Sequence, residues 1–421
     1  MSGTTDVSAQ NDHGDVVVAR QAIYDRSLRV VGYELLFRSA TGERIETIGG
    51  TTASARVLSD YLTVHDRQAL TGGLPAFINF TRELVTGDLI KQIPPTQLAI
   101  EILEEIEPDE EVLAACRQLV MRGFTVALDD VNSLERLVAF DDAITLVKVD
   151  FLVVDEDELL RIARYGKQQG LVLLAEKVET WDDFSEAIDL GFDRFQGYFL
   201  STPTLVRRRT VRAFKSVYMR LLTAVQREEV DFDELASIIK TDLGLTNLML
   251  RFANSAHAAQ RRKIGSLKDA LVIQGNDGVR RTVMLLLLAD VGGGSPEQLA
   301  IDSVSRARFC ELMAEGEHEF EQPSFELFLL GMFSLLASIL RVPVDQAIRD
   351  LPLPDAVRHA LVEGEGDLAT LLHLVEAYEH DDWEAVRRDA SALGVDELTG
   401  ARRIMEAWSW TGEAFQGVSA A

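Results

Sequence analysis

Glu34, Asn79, Glu101, the pair Asp129-Asp130, Lys148 with Asp150, and Glu176 with Glu179 recur along the first half of the chain, each at or just after the end of a short apolar run. Gathered carboxylates repel one another when buried unless a cation neutralises them. An oxygen-rich set of this kind suits the hard divalent ions Mg²⁺ or Mn²⁺, which can also acidify a bound water for attack on phosphorus. The chemistry this implies is metal-assisted phosphodiester hydrolysis, or binding of the same ligand without turnover. Taken singly, an Asp or Glu at such a place is more often a helix N-cap or a solvated group, so the weight rests on the set. Asp129-Asp130 directly follows the apolar run 124–128, and Lys148 stands between Val147 and Val149, where a buried ammonium needs a counter-charge.

These residues need a scaffold that brings them together. Strand-like runs over 16–23, 30–37, 76–80, 98–102, 125–128, 146–149, 171–175 and 194–195 alternate with helical stretches over 52–64, 109–122, 156–169 and 181–190. Repeated strand-helix units of this number predict a β/α barrel, in which the strand ends form one face and distant side chains converge. After Pro203 the texture changes to helical periodicity over 233–241, 246–254, 266–274, 277–289, 303–316 and 325–340. The fold class is therefore an α/β barrel followed by an all-α domain. The predicted divisions are a disordered tail at 1–15, the barrel at 16–203, a linker at 204–212, the helical domain at 213–410 and a C-terminal tail at 411–421.

Composition narrows the partners. With 42 basic and 68 acidic residues the net charge is -26, which argues against nucleic acid, since phosphate binding relies on Lys and Arg. The Arg207 to Arg209 run reads as a solvated linker. Cys116 and Cys310 lie in apolar surroundings and read as core packing, consistent with a reducing cytoplasm. The polar start has no secretory pattern. The apolar stretch 327–342, interrupted by Gly331, Ser334 and Ser338, reads as a buried helix and not as a membrane span. The glycines at 292–294 read as a loop without phosphate-binding spacing.

Over 16–203 the order of motifs resembles the EAL domain of cyclic-di-GMP phosphodiesterases. The segments that carry it are Gly32-Tyr33-Glu34-Leu35-Leu36-Phe37-Arg38, Ile78-Asn79-Phe80, Glu101 with Glu104, Ala127-Leu128-Asp129-Asp130, Val147-Lys148-Val149-Asp150, Ala175-Glu176-Lys177-Val178-Glu179-Thr180 and Gln196-Gly197-Tyr198. The resemblance implies a TIM-like barrel in which Glu34, Asn79, Glu101, Asp129, Asp130 and Glu179 surround Mg²⁺ or Mn²⁺. It implies Lys148 and Glu176 near the attacking water, Gln21, Arg38 and Gln196 at the dinucleotide, and Glu104 anchoring a loop. The sequence departs from the family pattern in four places: Leu35 replaces Ala, the usual Trp and His-Pro after Arg38 are missing, Val131-Asn132-Ser133-Leu134 replaces a glycine-bearing loop, and Lys177 replaces a Gly.

The second half resembles the HDOD domain, a metal-free relative of HD-type phosphohydrolases, through 234–246, Leu250-Arg251-Phe252-Ala253-Asn254-Ser255 and 266–275. Where a hydrolytic HD protein carries a His-Asp dipeptide, this chain has Gly331-Met332-Phe333-Ser334, so the resemblance implies a catalytically silent module that engages a protein partner, with the groove beside Asn254-Ser255 as its candidate surface. A homodimer is also compatible with the resemblance. His380-Asp381 and His65-Asp66 lack further ligands, and the former reads as a solvated pair. Two functions fit. One is a cyclic-di-GMP receptor or regulator with a degenerate barrel, towards which the altered loop after Asp130 points. The other is an active phosphodiesterase producing pGpG.

Overall fold

A computed structural model describes residues 17–38, 70–87, 93–201, 216–227, 229–242, 267–291, 296–314 and 320–419, with Ile90, Leu245, Thr246 and Met249. The predicted tail at 1–15, the helix at 52–64, the linker at 204–212, His65-Asp66, the glycines at 292–294 and the Asn254-Ser255 surface lie outside these residues.

Eight strands close into a barrel in chain order: β1 Val17–Asp25, β2 Val30–Arg38, β3 Ala76–Phe80, β4 Leu98–Ile102, β5 Thr125–Leu128, β6 Leu146–Asp150, β7 Val172–Glu176 and β8 Arg194–Gln196. All eight predicted strands are present. Strands β2 to β8 run parallel, whereas β1 is antiparallel to both neighbours, β2 and β8.

The outer helices are α1 Arg82–Thr86, α2 Glu110–Met121, α3 Leu134–Phe140, α4 Glu156–Gln169 and α5 Trp181–Leu190. Their ends follow local chemistry. Asp109, Ser133 and Asp155 accept from backbone N–H groups of the first turns, and Thr180 forms a reciprocal capping box with Asp183. Gly170 and Gly191 close α4 and α5 in the left-handed conformation. Helix α3 is absent from the sequence reading, being only two turns long and directly after the acidic pair.

Inside the barrel, Ile23, Phe77, Ala99, Ala127, Leu146 and Leu174 form a separate apolar layer. Side chains two residues apart on a strand share a face. The layer above therefore carries Asn79, Glu101, Asp129, Lys148 and Glu176, each two residues beyond one of those apolar positions. The periodicity that fills the barrel with hydrocarbon at one level thus lines it with polar groups at the next.

The second half is helical among the described residues: α6 Ser216–Val225, α7 Phe232–Ile239, α8 Leu267–Val291, α9 Glu297–Met313, α10 Ser324–Ser334, α11 Leu336–Leu340, α12 Val344–Ala347, α13 Asp355–Glu363, α14 Asp367–Glu379, α15 Trp383–Ala392 and α16 Glu397–Ser419. The predicted helices at 266–274 and 277–289 are one segment broken at Gly275, whose φ is 67°. The apolar stretch 327–342 is buried as expected but splits at Leu335. The predicted tail at 411–421 is corrected: α16 continues to Ser419, because Trp410, Ala414 and Phe415 pack on the core and Thr411 is buried. No described helix is long and apolar enough to cross a membrane, and both cysteines are buried and free.

Helices α14 and α16 pack directly against β1. Tyr33 Oη donates to Gln298 Oε1 at 3.1 Å, the Arg20 guanidinium stacks over Trp408 at 4.8 Å, and Ser338 Oγ donates to the Ser201 carbonyl at 2.7 Å. The barrel and the helices thus share an interface close to the strand ends that carry the acidic set.

Candidate functional site

Register delivers most of the set in facing pairs. Gln21 lies opposite Glu34 on β1 and β2, Asn79 opposite Glu101 on β3 and β4, and Asp150 opposite Glu176 on β6 and β7. At the centre, the Lys148 ammonium stands 2.7 Å from Glu101 Oε1, 2.8 Å from Asp129 Oδ1, 2.9 Å from Glu176 Oε1 and 3.2 Å from Glu34 Oε2. Lys148 and Glu101 are fully buried, and Glu34, Asn79, Asp129, Glu176 and Gln196 nearly so. Gln196 Nε2 donates to Glu34 Oε2 at 2.6 Å and to Gln21 Oε1 at 2.7 Å, tying β8 to β2 and β1.

Titration reflects this crowding. Burial pushes the Glu101 carboxyl well above the usual range, and the Glu34 charge adds to the effect. Glu176 is pushed up to about 8, again mainly by burial. For Lys148, burial opposes the charge, but Asp129, Glu101, Glu176 and Glu34 together outweigh it and hold the ammonium protonated. An excess of carboxyl groups over cations in a buried site leaves room for further positive charge.

The polar atoms say where that charge fits. Asn79 Oδ1, both Glu101 carboxylate oxygens, Asp129 Oδ1 and Gln196 Oε1 are buried without a hydrogen-bond partner. Two of these, Glu101 Oε1 and Asp129 Oδ1, are ion-paired with the Lys148 ammonium, which leaves Asn79 Oδ1, Glu101 Oε2 and Gln196 Oε1 without a polar partner. Oxygen donors on Glu34, Asn79, Glu101 and Asp129 match the preference of a hard divalent cation, and the residues fit such an ion. Among the described residues no three Asp, Glu, His or Cys side chains surround one point at ligand geometry; the carboxylates close on the Lys148 ammonium instead, so they must turn partly off it to hold a metal.

The rim residues behave differently. Asp130 is half-buried with φ 46°, and burial, the Asp129 charge and the nearby Glu104 raise its carboxyl pKa. Glu104 itself is exposed. Glu179 is also exposed, on the turn where its backbone N–H donates to Asp183, outside the buried cluster that the other acids form. Lys177 adopts φ 53° and its ammonium pairs with Asp150, whose other oxygen accepts from the backbone of Leu152 and Val153. Gly197 has φ 146° and a Cβ there would meet Val178 backbone atoms at 2.2 Å, so glycine is required for Gln196 and Tyr198 to take their places.

The loop after Asp130 is compact. The Val131 N–H donates to the Lys148 carbonyl at 3.0 Å, the Val131 side chain is fully buried, and Ser133 caps α3 at once. Asp130 supplies the left-handed turn that glycine would otherwise provide, a conformation Asp tolerates better than most residues.

Arg38, at the end of β2, does not point freely into the barrel mouth. Its Nε donates to Asp381 Oδ1 at 3.0 Å and its Nη2 pairs with Asp381 Oδ2. The reading of His380-Asp381 as a solvated pair is corrected for Asp381, whose side chain is only 13% exposed; His380 remains exposed, with its ring 3.8 Å from that of Tyr198. Sequence reasoning missed Asp381 because its partner is 343 positions away, and no local pattern announces such a pair.

Comparison with known proteins places the two halves. An EAL domain model matches residues 6–203 and an HDOD domain model matches 211–348. The chain is 33% identical over 398 residues, 94% of this chain and 92% of the relative, to a Vibrio cholerae protein named cyclic di-GMP phosphodiesterase CdgJ. It is 31% identical over 407 residues, 94% of this chain and 98% of the relative, to the Bacillus subtilis protein YuxH. Among solved structures, a manganese/cy-diGMP complex of Klebsiella pneumoniae BlrP1 matches 45% of this chain and 56% of its own at 21% identity, with a TM-score of 0.37. With an EAL barrel and an HDOD module in the same order as relatives that match it almost end to end, the chain belongs to the family of two-domain EAL-plus-HDOD proteins.

Proposed function

We propose that the chain is a metal-dependent phosphodiesterase that opens cyclic di-GMP to linear pGpG, the active alternative among the two functions the sequence admits. The observation that carries this reading is the buried cluster of Glu34, Glu101, Asp129 and Glu176 closing on a single ammonium, with Asn79 Oδ1 and Glu101 Oε2 beside it left without a hydrogen-bond partner. Buried polar atoms are ordinarily satisfied, and a site holding several that are not is suited to a charged ligand. The relative named as a cyclic-di-GMP phosphodiesterase, matched over nearly the whole chain, supports the substrate class.

Divalent ions held by Glu34, Asn79, Glu101 and Asp129, with Asp130 and Glu179 at the rim, would neutralise phosphate charge and lower the pKa of a water. The chain's own groups then act around the reacting phosphorus. Lys148 and Glu176 are near the attacking water: the lysine offers charge and a hydrogen-bond donor, the carboxyl a proton relay. Water adds to phosphorus, the bond to the ribose oxygen breaks, and that oxygen takes a proton as one ring phosphodiester becomes a terminal phosphate. Gln196 and Lys148 both donate to Glu34 Oε2 and together orient that carboxylate. The altered loop after Asp130, which in sequence points to a degenerate barrel, is anchored by Val131, whose side chain is buried and whose N–H donates to the Lys148 carbonyl, so it supports the strand end beside it.

One observation favours the receptor reading: Glu179, implied as a metal ligand, is exposed beyond the buried acids. The helical half serves as the partner-binding module in either case. Full-length protein incubated with cyclic di-GMP and Mn²⁺, analysed by chromatography, separates the two. Formation of pGpG that is lost in Glu34→Ala supports the phosphodiesterase, whereas retained binding without product supports the receptor.

A further inference from the structure

The end of α14 and the turn into α15 lie against the barrel mouth, where they meet Arg38 at the end of β2 and Tyr198 just beyond β8. Arg38 follows Glu34 by four residues on β2 and so shares its side of the strand. Asp381 grips Arg38 through both carboxylate oxygens, the two side chains being 12% and 13% exposed. Two residues beyond Gln196, Tyr198 lies against the His380 ring, and its hydroxyl donates to the Glu379 carbonyl at 3.4 Å. Within the helical half the same turn is anchored: Glu379 and Glu376 both accept from the buried Arg306 of α9, and Trp383 Nε1 donates to Asp381 Oδ1 at 2.9 Å.

We infer that this turn is a gate, with the Asp381 carboxylate holding the guanidinium face of Arg38 that a phosphate of the nucleotide would otherwise take. A planar guanidinium offers a parallel pair of N–H donors to either a carboxylate or a phosphate, and one pair of donors cannot serve both. Ligand entry then requires the turn to release Arg38, and the apparent affinity is lowered by the fraction of molecules in which it is closed. Asp381 takes φ 56° at this turn, a left-handed conformation that Asp and Asn adopt more readily than other non-glycine residues. Because the turn continues into α14 and α15 and is tied to α9 through Arg306, anything that shifts those helices shifts the gate.

The inference takes its ligand from the phosphodiesterase reading, and two measurements keep their failures apart. Asp381→Asn keeps the size of the side chain and an acceptor for Trp383, tolerates the left-handed backbone, and removes only the charge that holds Arg38. In full-length protein with Mn²⁺, it is expected to lower KM for cyclic di-GMP about tenfold while kcat stays within about twofold, since Asp381 touches none of the central groups. An unchanged or raised KM would overturn the gate and leave the phosphodiesterase intact. The second measurement needs no nucleotide: amide hydrogen exchange at Asp381 and Asp382, whose N–H groups donate to the Tyr378 and Ala377 carbonyls, is expected to speed up about fivefold or more in Arg38→Ala. Should wild type and Asp381→Asn neither bind nor turn over the nucleotide, the functional reading falls, and unchanged exchange in Arg38→Ala would sink the gate as well.

Discussion

Lys148 is the residue on which the charge balance of the barrel turns. Four carboxylates within 3.2 Å share its ammonium, and removing one partner from such a buried network leaves uncompensated charge that costs about 3–5 kcal/mol. Lys148→Met should therefore lose at least that much stability in chelator, measured by denaturant unfolding. Millimolar Mn²⁺ should restore more of it than the same ion adds to wild type, because the freed oxygens of Glu101 and Asp129 then have only the metal to neutralise them. Equal metal effects on the two proteins would show that these oxygens do not form the cation site. At this scale the sequence was informative about the strand-borne residues: Asn79, Glu101, Asp129, Lys148 and Glu176 each follow by two places an apolar residue of the inward layer, and all share its inward face. It was uninformative about Glu179 and Arg38, whose surroundings depend on a turn and on a distant helix.

Between elements, the sequence predicted kinds of structure better than breaks. Short apolar runs marked all eight strands, and the caps at Asp109, Asp155 and Thr180 bound their helices. The split at Leu335 and the continuation of α16 arise from packing that has no local signature. Gly331 shows why the place of a His-Asp dipeptide is filled by structure here. A Cβ at that position would come within 2.4 Å of the Ala307 nitrogen and the Arg306 carbonyl, so the glycine lets α10 lie against the backbone of α9. Backbone cannot yield as a side-chain tip does, and Gly331→Ala should cost about 2 kcal/mol or more, with m unchanged in urea unfolding. A neutral result would mean that α9 and α10 are less closely packed.

Across the whole molecule, a polar cavity of about 60 Å³ separates the barrel from the helices, lined by Gln21, Tyr33, Tyr198, Gln298, Asp302 and Glu379 among others. Asp302 is pushed up to about 7, by burial first and by Glu379 next, with Arg20 and Arg306 opposing; Tyr24 and Tyr33 also face its charge. A carboxyl whose folded pKa lies above its unfolded value near 3.8 is favoured protonated in the fold. The stability it contributes is full below pH 4 and is lost as pH rises towards 7. Asp302→Asn should thus match wild type near pH 4 and exceed it above pH 7, by on the order of 2 kcal/mol. A difference that does not grow between those pH values would contradict the burial of that charge at the interface. The division into barrel and helices was readable from the change in periodicity at Pro203, but their docking at the barrel mouth was not, since it joins Arg38 to Asp381 across almost the whole chain.

If, as proposed, the buried acids and Asn79 hold divalent metal for phosphodiester hydrolysis, multiple-turnover chromatography of cyclic di-GMP with purified full-length protein will register it. The expected result is pGpG in molar excess over protein with Mn²⁺, none with chelator, and none from Glu34→Ala or Glu101→Gln at equal folded concentration. Intact cyclic di-GMP after incubation with wild type and Mn²⁺, or equal product from wild type and both variants, would contradict it.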